Sequence, residues 1–363
     1  MKIAIDVSSA AKAHPTGIAR YQVELVRAAG QQLGAGDSLV LTLRLKRWLR
    51  HRQLASRFAL PGVGRPRWRV PQVDLFHAAG VASPRHASGL KAVTIFDTAT
   101  IDAPQFSSPR FAEKYSRNLR RAANDCDLIL TISNFVRDRI LFLFPALSPA
   151  RVIVTMPGAD HRGLSHEPQP DDCATLQRLE LKGSLFILAV GRVERRKNPE
   201  GLVRAFARAA PARDHLLVFA GDRGNSDVGR AIAEAGVAHR VRFLGRVDDR
   251  ELGALYRGAR AFAMPSHYEG FGIPLLEALA CGTPSLGSNC TAVPEVAGAA
   301  ALLVDPTRID VMADRLGRLL VDRDLRDELR ARGPVQAARF TWRRCARETL
   351  EAYRFALELG PRR

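Results

Sequence analysis

Short apolar runs alternate with segments of helical spacing along almost the whole chain, and the alternation breaks once before starting again. Residues 2–7, 39–43, 73–77, 92–97, 128–133 and 151–155 read as strands, with helices expected at 17–26, 111–123 and 134–144. Residues 158–172, entered through Pro157 and carrying Pro168, Pro170 and several histidines and acids, interrupt the pattern. It resumes with strands at 184–190, 215–221, 241–245, 261–265, 285–287 and 300–304. Helices are expected at 199–210, 227–235, 248–257, 274–281, 293–296, 309–332 and 345–359. Strands joined through helices are crossover-connected, so neighbours run parallel and helices cover both sheet faces. The chain is therefore expected to be α/β, with two doubly wound Rossmann-like domains. The expected divisions are 1–160, a linker at 161–180, a second domain at 181–343, and a last helix at 344–363 that packs back on the first domain.

At 363 residues the chain is long enough for two domains with cores of their own. Hydrophobic residues make up 46% and charged residues 25%, a composition that excludes wholesale disorder. No apolar run nears the roughly 20 residues that span a bilayer. Asp6 interrupts the first apolar run, which reads as a strand and not as a leader, so a cytoplasmic protein is expected. Cys126, Cys173, Cys281, Cys290 and Cys345 are odd in number and never spaced as Cys-x-x-Cys. Free thiols and no metal site are expected.

The formal net charge is +18, and it is unevenly spread. Residues 38–73 hold nine lysines or arginines and no acid, with Trp48, Phe58 and Trp68 among them. Arginine interleaved with tryptophan suits an anionic surface. The chain has no helix-turn-helix, zinc-finger or RNA-binding signature, so peripheral contact with the inner face of an anionic membrane is expected, and not nucleic acid. A solvated basic face would leave the same pattern.

Candidate chemistry concentrates in 264–288. Glu269 and Glu277 stand on either side of Gly270-Phe271-Gly272, with Pro274 suited to a first helical turn and Gly282 and Pro284 to its end. The amides of residues 270–272 then face outward at the positive end of a helix dipole, a place for hydroxyls or an anion. Glu277 falls one turn in, and its two acceptor oxygens match neighbouring sugar hydroxyls. A second cluster follows the strand at 184–190. Arg192 and Lys197 precede an Asn198 cap and a Pro199 first residue, and two fixed cations beside that helix start suit a diphosphate. Arg195 and Arg196 read as surface ion-pairing residues.

In the first half, Gly17, His77, Asp97 and Ser133 fall where strands are expected to become loops. Gly17 alone does not make a dinucleotide fingerprint, which disfavours a nicotinamide-dependent enzyme. A lone histidine such as His77 is more often structural than catalytic. Asp125-Cys126-Asp127 precedes a strand and reads as an entry turn, not as metal ligands.

Taken together, Gly191-Arg192 with Lys197, the run from Glu269 to Glu277, Ala280 to Pro284, Pro294-Glu295-Val296 and Leu302 to Pro306 resemble the GT-B-fold retaining glycosyltransferases of family 4. The tail of the pattern is similar to bacterial mannosyl- and rhamnosyltransferases that build surface polysaccharides. The resemblance covers nearly the whole C-terminal half and, more loosely, the N-terminal half. It implies a metal-independent, retaining hexosyltransferase without a cofactor, a nucleotide-diphosphate sugar as donor, and a lipid-linked or glycan acceptor. GDP-mannose is the expected donor. The resemblance also implies that Arg192 and Lys197 bind the donor diphosphate, that Glu269 lies near the transferred sugar, and that Glu277 holds the ribose. Phe271, Gly272, Ile273, Gly245 and Arg246 are the further donor-binding residues it implies, and Gly17 closes over the diphosphate.

Two positions depart from that pattern. Thr16 stands where relatives pair a second glycine with Gly17, and Phe96 precedes Asp97 where relatives commonly have histidine. Asp97 and His77 are therefore the candidates for the acceptor-side group. A GT-B nucleotide-sugar epimerase and a basic nucleic-acid-binding protein are the alternative readings.

Overall fold

The computed structural model describes residues 1–11, 17–44, 65–66, 72–81, 89–161, 164–209 and 214–362. The chain divides into two compact units, Met1–Gly158 with Trp342–Arg363, and Ala159–Thr341.

The first unit is built on a parallel sheet of seven strands: β1 (Lys2–Asp6), β2 (Ser38–Leu43), β3 (Arg65–Pro66), β4 (Leu75–Ala79), β5 (Leu90–Ile95), β6 (Leu128–Thr131) and β7 (Val152–Val154), in the order β3-β2-β1-β4-β5-β6-β7. β4 and β6 are buried at every position, which their unbroken apolar runs require of strands covered on both faces. Helix Gly17–Gly30 follows β1, Pro109–Asp125 leads into β6, and Asn134–Leu143 follows it. The last helix, Trp342–Leu359, lies in this unit against Gly17–Gly30, where the Tyr21 and Trp342 rings meet edge-on at 5.8 Å.

The second unit carries a parallel sheet of six strands: β8 (Leu185–Val190), β9 (His215–Ala220), β10 (Val241–Gly245), β11 (Ala261–Met264), β12 (Ser285–Ser288) and β13 (Leu302–Val304), in the order β10-β9-β8-β11-β12-β13. Winding runs outward from β8 on one side and from β11 on the other. The loops after β8 and β11 therefore diverge at the topological switch point, where open α/β sheets bind ligands. Helix starts in this unit match their sequence signals. Asn198 takes a left-handed conformation and its side chain accepts from Gly201 N at 3.1 Å, with Pro199 as first residue. Asp248 and Glu251 form a reciprocal capping box on Asp249–Gly258.

Three expectations change. The helix expected at 309–332 is two, Ile309–Val321 and Arg323–Ala337, because Asp322 leaves the helical region and its carboxylate caps Leu325 N at 2.9 Å. The segment 161–180 belongs to the second unit. Its helix Asp172–Arg178 is held by a two-pronged Arg257–Asp172 pair at 2.7 and 2.6 Å, and Arg257 also donates to Ser165 O at 3.1 Å. His77 sits in the middle of β4, not at its end. It is fully buried, with Nε2 2.7 Å from Thr94 Oγ1 and Nδ1 2.7 Å from Tyr353 Oη. Burial holds its imidazole down to about 3, so it is a neutral core histidine and not a catalytic group. Most of the basic stretch 38–73, including Trp48, Phe58 and Trp68, lies outside the described residues; Arg44 is described, exposed, with its guanidinium 3.8 Å from Asp6.

Backbone bonds lace the strand ends beneath the switch point. Gly191 N donates to Ala220 O at 2.9 Å and Gly221 N to Gly245 O at 2.7 Å. Gly221 has φ of +148°, and a Cβ there would lie 2.2 Å from Gly191 O. Only glycine permits that approach. Gly221→Ala is expected to cost about 1–3 kcal/mol through the forced separation of the β8 and β9 ends. Thermal unfolding of the two proteins measures it, and an unchanged midpoint would show that the loop after β8 yields freely.

Candidate active site

The loop after β8 begins at Gly191, whose φ of +111° turns the chain sharply, and ends in the short turn Arg195–Lys197. The loop after β11 carries Ser266 to Gly272. One buried carboxylate joins them. Glu269, 7% exposed, accepts from Lys197 Nζ at 3.0 Å and from Ser266 Oγ at 2.9 Å through Oε1, and from Arg196 Nη1 at 3.0 Å through Oε2. Arg196 also donates to Tyr268 O and, at 2.9 Å, to Glu194. Glu269 N in turn donates to Thr291 Oγ1 at 3.1 Å.

Burial alone would raise the Glu269 carboxyl. The Arg196 and Lys197 charges overcome it and hold the group down to about 2. Glu269 is thus ionised at any working pH and is no proton donor. It orients cations. Lys197 keeps further N–H donors for a ligand, and Arg192, exposed on the same loop, has no ion-pair partner among the described residues. The three together can accept an anion at the switch point.

Phe271 and Gly272 open the helix Ile273–Ala280, one residue earlier at each end than the proline and glycine signals suggest. Gly272 is the helix cap at φ of +105°, and the Phe271 ring is buried edge-on against Phe340 at 5.8 Å. Glu277 lies one turn in and is 4% exposed. Tyr256 Oη donates to its Oε2 at 2.9 Å, and His161 Nε2 lies 3.2 Å from Oε1. Gly245 ends β10 at φ of +68°, and Arg246 beside it makes a two-pronged pair with Asp222, one arm at 2.9 Å.

Sequence reasoning missed Arg196, Ser266, Tyr256, Thr291 and His161. Arg196 looked like a surface cation because three basic residues in a row do not disclose which turns inward. The only signal was Glu269 itself, an acid in an apolar setting that needs counter-charges. In the first unit, Gly17 starts its helix in an exposed position with the preceding loop, Thr16 included, outside the described residues. Phe96 packs edge-on against Tyr21 at 5.0 Å, and Asp97 accepts from Ala99 N at 3.2 Å. The Asp127 carboxylate accepts from Lys91 N at 2.8 Å and Arg362 N at 2.7 Å, as a turn before a strand would use it.

Comparison with known proteins shows what the chain is similar to. Residues 176–336 match the family described as "Glycosyl transferases group 1". The chain is 35% identical over 270 residues to the O-antigen chain mannosyltransferase B of Escherichia coli, covering 73% of this chain and 70% of that protein. It is 32% identical over 363 residues to a D-inositol 3-phosphate glycosyltransferase of Nocardia farcinica, covering 94% of this chain and 72% of the relative. Among solved structures, sucrose-phosphate synthase from Thermosynechococcus elongatus superposes with a TM-score of 0.73 at 19% identity, over 99% of this chain and 100% of that one.

Glu269→Gln keeps the shape of the buried group and removes its charge. The wild type is expected to be more stable at neutral pH by about 1–3 kcal/mol. A carboxyl that moves from 4.5 to about 2 on folding supplies this advantage above pH 4.5 and loses it as the pH falls towards 2. Chemical unfolding of both proteins across that interval tests it; a gap of constant size would mean the cations do not hold the carboxylate.

Proposed function

The chain belongs to the group 1 glycosyl transferases of GT-B fold, and from that premise we propose that it moves a hexosyl group from a nucleotide-diphosphate sugar to a lipid-linked or polysaccharide acceptor in bacterial cell-surface glycan synthesis. The observation that carries the proposal is the buried Glu269 carboxylate fixing Lys197 and Arg196 beside the open Arg192 at the switch point. In this reading Arg192 and Lys197 take the charge that develops on the leaving diphosphate, the electrostatic task a divalent ion performs elsewhere. Because Glu269 holds the cations in place beforehand, little reorganisation is needed as the bond breaks. Glu277, lined by a phenol and an imidazole, accepts ribose hydroxyls, and the Phe271 and Gly272 amides meet the sugar.

Transfer with retention follows from front-face attack. The acceptor oxygen bonds the anomeric carbon as the carbon–phosphate oxygen bond breaks, and the acceptor proton passes to the departing phosphate oxygen. Mannose from GDP-mannose is the donor proposed, supported by the similarity to an O-antigen mannosyltransferase. The similarity to D-inositol 3-phosphate glycosyltransferases supports a second reading of the acceptor as a small phosphorylated polyol. Among the described residues no helix is long and apolar enough to cross a membrane. Peripheral contact through 38–73 is proposed on its nine cations and absent acids.

A thermal-shift screen over GDP-, UDP- and dTDP-sugars is expected to single out the GDP sugar, and stabilisation by another base alone would replace the donor. Arg192→Ala is expected to lower kcat by about 10²–10³. Activity should persist in excess chelator, and its abolition would overturn the metal-independent mechanism. An inverted anomeric configuration in the product, read by NMR, would overturn retention.

A further inference from the structure

We propose that His161 is a positioning residue of the nucleotide site: its imidazole fixes the Glu277 carboxylate in the orientation that receives the ribose diol. The inference rests on the donor-site reading above.

His161 has 2% of its side chain exposed, and neither Nδ1 nor Nε2 has a hydrogen-bond partner among the described residues. Buried polar atoms ordinarily face polar groups, and the Glu277 carboxylate is one that this imidazole faces. Its Nε2 faces Glu277 Oε1 at 3.2 Å, while Tyr256 Oη already holds Oε2 at 2.9 Å. Each carboxylate oxygen thus faces a protein group that sets its direction. A carboxylate offers about four lone-pair directions, which matches it to two adjacent hydroxyls. Contacts of this kind are often loose without ligand and tighten in the complex.

The backbone fixes both partners to one support. Ala159 N donates to Phe340 O at 3.4 Å, His161 N to Ala159 O at 2.8 Å, and Leu164 N to His161 O at 3.3 Å. The Phe340 ring packs on Phe271, at the turn that opens the helix of Glu277. The segment of His161 and the start of the Glu277 helix therefore meet at Phe340, one through its carbonyl and the other through its ring. Since its side chain is buried beside Glu277, His161 acts through that carboxylate and not on the ligand directly.

The test is calorimetric titration of the full chain with GDP, UDP, dTDP and inorganic pyrophosphate. His161→Leu removes the polar edge and is expected to weaken binding of the preferred nucleoside diphosphate about tenfold, while pyrophosphate, which has no ribose, binds as to wild type. His161→Gln, whose amide can reach Oε1, should recover most of the loss. In the Glu277→Gln background, His161→Leu should add less than about a twofold loss, because residues acting as one unit are not additive. Should His161→Leu not fold, His161→Asn, too short to reach Oε1, replaces it under the same criteria. Wild-type affinity in the histidine variant, equal losses for pyrophosphate, or additivity with Glu277→Gln would overturn the proposal. A Glu277→Gln variant that binds nucleotide like wild type would instead overturn the donor-site reading; one that weakens while the His161 variants do not leaves that reading standing and removes only this inference.

Discussion

Glu269 sets the terms for the second unit's switch point. Its carboxylate has left water, a change that by itself disfavours charge, and the loop after β8 answers with Arg196 and Lys197 at 3.0 Å each. The arrangement works in both directions. Without the acid, three adjacent cations at 195–197 would repel one another on a single short turn; without the cations, burial would push the acid up and leave the loop after β11 untied. Close backbone approach makes the contact possible. Gly191 and Gly221 bring the ends of β8 and β9 within van der Waals reach, so that Lys197 can lie against the Gly191 turn and still reach across to Glu269.

Parallel strands in a covered sheet are written as continuous apolar runs, and that is why β4, β6, β8 and β9 could be read without any partner in view. Asn198-Pro199 was equally legible, because a cap is a local event between a side chain and amides two or three residues away. What escaped notice depended on distant residues. Asp322 resembles any surface polar residue of a long helix until its carboxylate is seen on Leu325 N. His77 was displaced by two residues in the expected strand, enough to turn a core histidine into an apparent loop-edge group. His161 sat in a stretch that looked like a linker by its prolines, and the backbone beside it is tied at Ala159 N to Phe340 O, far along the chain.

The two glutamates of 264–288 look interchangeable in sequence and are not so in space. Glu269 is gripped by two full charges that hold it ionised; Glu277 is faced by the Tyr256 phenol and the His161 imidazole. Environments that separate like groups separate their roles as well. One is a fixed counter-ion that positions cations, and in the proposed function the other is an acceptor for hydroxyls.

This division bears on the proton. Among the candidates, Glu269 is held ionised by its cations, and His77 is neutral, buried and engaged at both nitrogens. Asp97 has an oxygen on Ala99 N, where it shapes the start of a helix. Neither Glu269 nor His77 is poised near neutrality as a general base, and the Phe96 ring supplies none. In the proposed transfer the departing phosphate oxygen, which gains basicity as its bond to the sugar breaks, is then the natural receiver of the acceptor's proton. In that proposal the cations fixed in advance by Glu269 serve the step by stabilising the diphosphate without themselves exchanging protons.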